Sequence, residues 1–397
     1  MNSDPGPNSS LPRRISVLGA TGSIGVSTLD VLGQAGGRER FEVVALTGMG
    51  NVELLATQAK AFGARIAVTA DEARYGDLKA ALSGSGIEVA AGPLALAAAA
   101  AEPADWVMAG IVGIAGLAPT MAAARAGATI ALANKECLVS AGDLFLAETD
   151  KAGITVVPVD SEHSAIHQCL AGEPHHMIER IILTASGGPF RSFSRDQMRD
   201  VSPAQAAGHP KWSMGQKISI DSASMFNKAL EMIEARHLFH MRPSQIEVVV
   251  HPQSIVHSAV AFTDGSMIAQ MGMPDMRTPI AYALAHPSRI AVNVAQLDLM
   301  ALARLDFEAP DEVRFPAIRL AREVMAHGAA AGAVFNGAKE AALEAFIAGK
   351  IKFLEMAEIV ESVLQKLSAL PAPQTLDDVF EADRLARSQA STFITAF

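Results

Sequence analysis

The sequence predicts an α/β fold in three successive parts, and three observations carry that prediction. Over the first third, short apolar runs alternate with helix-like segments, the signature of a parallel sheet with crossover helices. In the middle third, strand-like runs gather around one strong helix, an α+β pattern. From about Pro316 the pattern is helical to the end.

Each part is legible in its segments. The first contains "RISVLGA", "FEVVAL", "ARIAVTA", "DWVMAGI", "ATIALAN" and "GITVVPV", separated by segments such as "NVELLATQAKAFG". The second contains "RIILTAS", "KISID", "IEVVVHP", "HSAVAFT" and "SMIAQMG", all read as strands, and the helix "SMFNKALEMIEARHLF". A Pro-rich, irregular stretch runs from about Pro279 to Pro316, and helices such as "PAIRLAREVMAHG" and "GAKEAALEAFIAG" follow it. The expected divisions are a disordered leader at 1–13, parts at 14–158 and 159–293, a linker at 294–315 and a helical part at 316–397. At 397 residues, several domains are expected, because a single core stops growing below that size.

Composition narrows the function. A net charge of −10 argues against a nucleic-acid footprint and against binding to anionic membranes. Two cysteines, Cys137 and Cys169, are too few for a disulfide framework and fit a reducing, cytoplasmic setting. The leader "MNSDPGPNSSLPRR" has no apolar core of a signal peptide. The uncharged run from Trp106 to Ala124 is long enough to cross a bilayer. Gly110, Gly113, Gly116 and Pro119 interrupt it, so it reads as a strand, a Gly turn and a short helix.

Gly19, Gly22 and Gly25 lie between the first strand and a helix opening near Ser23. Glycines let a backbone approach a pyrophosphate, and a helix N-terminus supplies oriented N–H groups, so this is a Rossmann-like nucleotide site; the alternative is a Gly turn that packs the helix closely. No acid lies between Glu42 and Glu53 to bind ribose hydroxyls, which leans toward NADP, yet no Arg or Lys is present to clamp a 2′-phosphate.

"VDSEHSAIHQ" sets Asp160 and Glu162 directly after an apolar run. If the strand persists past Val159, both point to one face. A third acid comes from "SASMFNKALE", where Ser224, Asn227, Lys228 and Glu231 form one helical stripe, while Phe226, Leu230 and Ile233 face away. Three carboxylates suit Mg²⁺ or Mn²⁺ better than zinc. Two alternatives stand beside this: a solvated face with an ordinary Lys228–Glu231 pair, and a zinc site of His163, His167 and Glu162. Two further stretches suit anions. Ser186, Gly187 and Gly188 end a strand in a loop of donors, and His209, Trp212 and Met214 between Gly208 and Gly215 have the composition of a lid.

Together, "GATGSIG", "ANKE", "PVDSEHSAI", "SGGPF", "HPKWSMG", "DSASMFNKALEMIEA", "HPQSIVHS" and "MGMPDMRTPI" closely resemble the 1-deoxy-D-xylulose 5-phosphate reductoisomerase family, in order and spacing, over nearly the whole chain after about Arg14. The resemblance implies a homodimer dependent on NADPH and Mg²⁺ or Mn²⁺, with Co²⁺ as a further option. Its parts would be an N-terminal nucleotide domain, a connective catalytic domain and a C-terminal helical domain. It implies metal ligands at Asp160, Glu162 and Glu231, with Lys228 and His209 also in the catalytic set. Substrate contacts fall on Ser161, Glu162, Ser186, His209, Trp212, Ser222, Asn227, Lys228 and Glu231, the phosphate lying among Ser186, Ser222, Asn227 and Lys228. Cofactor contacts fall on Gly19, Thr21, Gly22, Ser23, Ile24, Gly48, Gly50, Asn51, Asn134, Lys135, Glu136 and Gly215. The implied reaction rearranges a pentulose phosphate, by retro-aldol and aldol steps or a direct ketol shift, and reduces the resulting aldehyde to 2-C-methyl-D-erythritol 4-phosphate, an isoprenoid precursor. This chain departs from the usual family pattern at Ala185, Ala229, Cys137 and Gly50, and only Gly50, where a basic residue is usual, bears on function.

Overall fold

The computed structural model describes residues 11–209, 212 and 215–395, so the first ten residues of the expected leader and Pro210, Lys211, Ser213 and Met214 of the expected lid lie outside the described residues. The chain forms two compact units, each assembled from three separate stretches.

The first unit comprises residues up to 134, 147–160 and 276–294. Its sheet has seven strands: β1 (Arg13–Leu18), β2 (Phe41–Gly48), β3 (Ile66–Thr69), β4 (Glu88–Ala91), β5 (Trp106–Ala109), β6 (Thr129–Leu132) and β7 (Val156–Pro158). They are parallel, in the order β4-β3-β2-β1-β5-β6-β7. Helices cover a parallel sheet on both faces, which is why β1, β2 and β5 read as apolar runs and not as alternating ones. β4 has no such run in the sequence, because an outer strand of four residues is only half-buried. The uncharged stretch after Trp106 forms β5 and the helix Leu117–Arg125, and among the described residues no helix is long and apolar enough to cross a membrane.

Strand order reverses between β1 and β5, the place where open α/β sheets bind ligands beyond the strand ends. The Gly-rich loop occupies that place. Gly19 has φ +85°, and a Cβ there would stand 2.7 Å from the Gly110 carbonyl oxygen. A Cβ on Gly25 would stand 2.3 Å from the Gly19 oxygen, so the helix Ser23–Gln34 seats directly on the loop. The packing alternative and the nucleotide reading are therefore compatible: these glycines close the turn and leave Gly22 and Ser23 exposed at the helix start.

One helix, Arg277–Ala285, returns from far along the chain to complete this unit. The Trp106 indole N–H donates to the Ala283 carbonyl at 3.1 Å, and Ile280 and Leu284 join the core around Ile15, Val17 and Met108. Pro279 falls here, in a stretch expected to be irregular. Proline is tolerated in a first helical turn, where its missing N–H has no intrahelical partner to lose.

The second unit holds residues 135–146, 161–275 and 295 onward. Its sheet, in the order β11-β10-β8-β9, is built from β8 (Ile178–Ala185), β9 (Ile246–Val250), β10 (Val256–Phe262) and β11 (Met267–Met271). β8 pairs parallel with β9, while β10 runs antiparallel to both β8 and β11. "KISID" is not a strand: it lies in the short helix Gln216–Ala223. The Ile-Ser-Ile alternation is misleading because Ile218 is exposed, and the buried face is formed by Ser219, Ile220, Asp221 and Ala223. A left-handed Met225 (φ +64°) then turns the chain into the helix Phe226–Leu238, which leaves Ser224 outside the expected stripe. Its hydroxyl donates to the Ile220 carbonyl at 2.8 Å. The C-terminal helices are Ala317–His327, Ala331–Ile347, Glu355–Lys366 and Leu376–Ile394.

Gly19→Ala should lower stability by roughly 1–3 kcal/mol, combining an unfavourable φ with a backbone overlap. The check is a lower urea midpoint at unchanged slope, with Gly50→Ala, whose Cβ would meet nothing within 4 Å, close to wild type.

Candidate active site

β7 ends at Pro158, and the helix Ser161–Cys169 begins three residues later. The strand does not persist, so Asp160 and Glu162 do not share a strand face. Asp160 stands immediately before the helix and Glu162 in its first turn, where acidic groups are favoured by the helix dipole. That turn still brings the carboxylates together. Asp160, Glu162 and Glu231 each offer an oxygen, and these lie within 4.8 Å of one another. Among the described residues, no comparable group includes His163 or His167, so the zinc alternative has no support.

Glu231 comes from the helix Phe226–Leu238 and is fully buried. The solvated-face alternative fails on that burial: Lys228 is 3% exposed and donates to Glu231, with its ammonium also 3.3 Å from Glu162. The Asn227 amide donates to Glu231 Oε1 at 2.5 Å, and the Ser161 hydroxyl to Glu162 Oε2 at 2.6 Å. Lys135 reaches Glu231 at 3.3 Å and Glu234 at 3.7 Å, placing its ammonium on the carboxylate cluster. A carbonyl can only accept, so His163 Nε2–H donates to the Glu231 main-chain oxygen at 2.9 Å, with Nδ1 3.7 Å from Glu234. The carboxylates of Asp160, Glu162, Glu231 and Glu234 outnumber the two lysines among them, an excess of acid that favours a cation. All-oxygen donors of this charge fit a hard ion.

Glu234 is the site residue that the sequence reading does not name, and His163 enters that reading only as a zinc ligand. Glu234 continues the helical stripe of Asn227 and Glu231 by one more step, so extending the period would have found it. For His163, nothing in the sequence signals a bond to a main-chain oxygen.

A second constellation centres on Ser186. His209 Nδ1 accepts from the Trp212 N–H at 2.9 Å, so its Nε2 carries the proton and donates to Ser186 Oγ at 2.8 Å. Burial lowers the His209 pKa and favours this neutral form. Gly188 N–H also donates to Ser186 Oγ at 3.1 Å, so the hydroxyl hydrogen can be offered to an anion. A Cβ on Gly188 would stand 3.0 Å from the Ser222 carbonyl oxygen, which seats this turn on the end of the helix Gln216–Ala223.

In the first unit, Thr21, Gly22, Ser23 and Ile24 surround the start of the helix Ser23–Gln34, whose cap position, Gly22, makes no side-chain capping bond. Gly48 ends β2 against Thr21, 3.1 Å from its Oγ1 to a built Cβ. Gly50 is exposed and open, while Asn51 caps the helix Val52–Phe62, accepting from Leu54 N–H at 3.1 Å. Asn134 donates to the Ile111 and Gly113 carbonyls and so holds the loop after β5. Gly215 caps the helix Gln216–Ala223, and Glu136 is buried in the second unit.

Three models of 1-deoxy-D-xylulose 5-phosphate reductoisomerase match the chain: the enzyme's own model over residues 15–142, a C-terminal domain over 156–239 and a further C-terminal domain over 271–389. A curated reductoisomerase of that name from Rhizobium meliloti (strain 1021) is 65% identical over 97% of this chain and 98% of its own length. The chain belongs to the 1-deoxy-D-xylulose 5-phosphate reductoisomerase family. Another member, from Agrobacterium fabrum, is 60% identical over 97% of each chain. Among solved structures, the reductoisomerase of Zymomonas mobilis in complex with NADPH superposes with a TM-score of 0.92 at 50% identity, covering 98% of this chain and 100% of that one. A reductoisomerase in complex with NADPH, fosmidomycin and magnesium gives 0.92 at 42% identity over 96% and 98%. As a reductoisomerase, this chain is an oxidoreductase that converts 1-deoxy-D-xylulose 5-phosphate to 2-C-methyl-D-erythritol 4-phosphate with NADPH and a divalent metal ion.

The His209 turn is expected to be pH-sensitive. Because burial depresses the histidine's pKa below 6.5, the Trp212–His209 bond is intact above that value and is lost as pH falls through the lower, folded-state value. Trp212 fluorescence followed against pH should show a transition with its midpoint below 6.5, absent in His209→Gln; no transition would mean that the ring does not hold the turn.

Proposed function

We propose that Asp160, Glu162 and Glu231 hold the divalent ion, Mg²⁺ or Mn²⁺ with Co²⁺ also accommodated, and that the substrate phosphate is bound among Ser186, Ser222, Asn227 and Lys228. The observation that carries this reading is the convergence of three carboxylates within 4.8 Å, one fully buried, with Lys228 against two of them. When bound, the ion supplies a Lewis acid that polarises a ketone and acidifies a neighbouring hydroxyl. NADPH supplies the hydride, and Thr21, Gly22, Ser23 and Ile24 at the start of the helix Ser23–Gln34, together with Gly19, Gly48, Gly50, Asn51, Asn134, Lys135, Glu136 and Gly215, are assigned to it.

The chain's own contribution is binding, orientation and proton placement. Asn227, Lys228 and Lys135 fix the Glu231 carboxylate, and His163 fixes the main chain behind it, so the anionic face is set before a ligand arrives. Ser186, with its oxygen already accepting from His209 and Gly188, meets the phosphate as a donor. Ser161, hydrogen-bonded to Glu162, adds a hydroxyl beside the cluster. Trp212 covers the ligand as part of a lid, next to His257 at a ring separation of 6.1 Å.

The functional divisions at 14–158, 159–293, 294–315 and 316–397 are kept as part of this reading. The enzyme serves isoprenoid precursor synthesis by the non-mevalonate route in the cytoplasm, where two reduced cysteines are at home. It works as a homodimer. β11 is an outer strand with exposed Met267 and Ile268, and such an edge is stabilised by pairing with a second copy.

Asp160→Asn should lower kcat/KM roughly a hundredfold or more at limiting Mn²⁺ while the urea midpoint stays near wild type, since the residue is a half-buried ligand and not core. Near-wild-type turnover would overturn the ligand assignment. Gly50→Lys should raise the ratio of kcat/KM for NADPH to that for NADH about tenfold, the effect of roughly 1.4 kcal/mol from one charge-assisted bond. The open space around Gly50 accommodates the side chain, and an unchanged ratio would show that this loop does not read the 2′-phosphate.

A further inference from the structure

Outside the carboxylate cluster, a second group of buried charges joins the short helix Gln216–Ala223 to the long helix Ala331–Ile347. The Lys339 side chain is 2% exposed, and its ammonium donates to Asp221 Oδ2 at 3.0 Å and Glu340 Oε1 at 2.5 Å. One turn before Asp221, Lys217 reaches Glu340 at 3.3 Å and Glu344 at 2.8 Å. The two helices thus meet through a ladder of opposite charges, Lys217 to Glu340 and Glu344, then Asp221 to Lys339. Burial alone would raise the Glu340 carboxyl, but Lys339 and Lys217 outweigh it and hold the group at about 2. Buried Glu136 adds to the field on Lys339.

The long helix is itself anchored. A Cβ on Gly337 would stand 2.8 Å from the Asp383 carbonyl oxygen, so this helix lies directly on the helix Leu376–Ile394, and a Cβ on Gly332 would overlap the Val139 carbonyl oxygen. At its other end, the short helix is tied to the Ser186 turn, because a Cβ on Gly188 would stand 2.9 Å from Ala223 Cα. Displacing the short helix therefore displaces Ser222, which it carries, and the Ser186 turn seated on its end.

We propose that Lys339 is a positioning residue for substrate binding: through Asp221 it fixes the short helix, and with it Ser222 and the Ser186 turn, in the arrangement that receives the phosphate. This rests on the assignment of the phosphate to Ser186 and Ser222. Lys339 touches none of the reacting groups. Its buried ammonium is matched by two carboxylates, so removing it leaves Asp221, whose carboxyl burial already pushes up, without its partner, and leaves Glu340 to Lys217 alone.

The test compares steady-state kinetics of the full-length enzyme with Mg²⁺, NADPH and 1-deoxy-D-xylulose 5-phosphate for wild type, Ser222→Ala, Asp221→Asn, Lys339→Met and the double variant Asp221→Asn/Lys339→Met. Expected is a rise in the KM for the pentulose phosphate of roughly tenfold or more in Lys339→Met, with the KM for NADPH within about twofold, and a rise in the double variant no larger than in Lys339→Met, because both substitutions break the same tie. Asp221→Asn cuts the tie while Lys339 keeps Glu340, and it should raise the same KM if Lys339→Met does not fold. A fall in melting temperature without a change in the pentulose phosphate KM in Lys339→Met and Asp221→Asn would overturn the proposal, as would equal increases in both KM values. If Ser222→Ala leaves the KM unchanged, the phosphate assignment itself fails; if Ser222→Ala raises it and Asp221→Asn does not, only the role of Lys339 fails.

Discussion

The site depends on the cost of holding like charges together away from water. Asp160, Glu162 and Glu231 repel one another within 4.8 Å, and Glu231 has no contact with solvent to screen it. Such a cluster persists only if cations stand beside it. Lys135 from the start of the second unit and Lys228 from its central helix meet part of that need, and the acids still outnumber them. Much of the surrounding architecture follows. The turn after β7 delivers two acids, the left-handed Met225 sets the start of the helix that delivers the third, and His163 pins that helix from behind.

Sequence patterns exposed the chemistry more readily than the backbone that carries it. The Gly19, Gly22 and Gly25 spacing located the first loop and helix because a glycine requirement is strict: there is no room for a Cβ at Gly19 or Gly25. The acids at Asp160 and Glu162 were visible for a similar reason, since two carboxylates after an apolar run demand an explanation. Their geometry was not visible, because the switch from strand to helix at Pro158 is set by tertiary packing and by an acidic first turn, and a period-two reading continues past it. The segment Gln216–Ala223 was misread for the opposite reason. Its polar residues are buried against another helix, so the usual link between polarity and exposure is inverted there. β4 and the contact of His163 are silent in the sequence, one for want of apolar character and the other because a histidine's bond to a main-chain oxygen leaves no pattern.

The departures at Ala185 and Ala229 fit their surroundings. Both are buried, Ala185 at the end of β8 and Ala229 on the helix that carries Glu231, and neither side chain has a polar group to satisfy. Cys137 is likewise buried. Gly50 differs from these because it is exposed in open space, where its effect is on what the loop offers to a ligand and not on packing.

The return of residues 276–294 to the first unit has a consequence for synthesis on the ribosome. The seven strands of the parallel sheet have all emerged once residue 158 is made, yet the core around Trp106 still lacks Ile280, Tyr282 and Leu284, and the indole N–H still lacks the Ala283 carbonyl. For more than a hundred residues of elongation the nascent sheet presents an apolar seam that only later sequence can cover. A gene fragment ending at β7 would leave that seam permanently open, so a soluble, stand-alone nucleotide module would have to include the helix Arg277–Ala285, joined across the excised second unit by a designed connection.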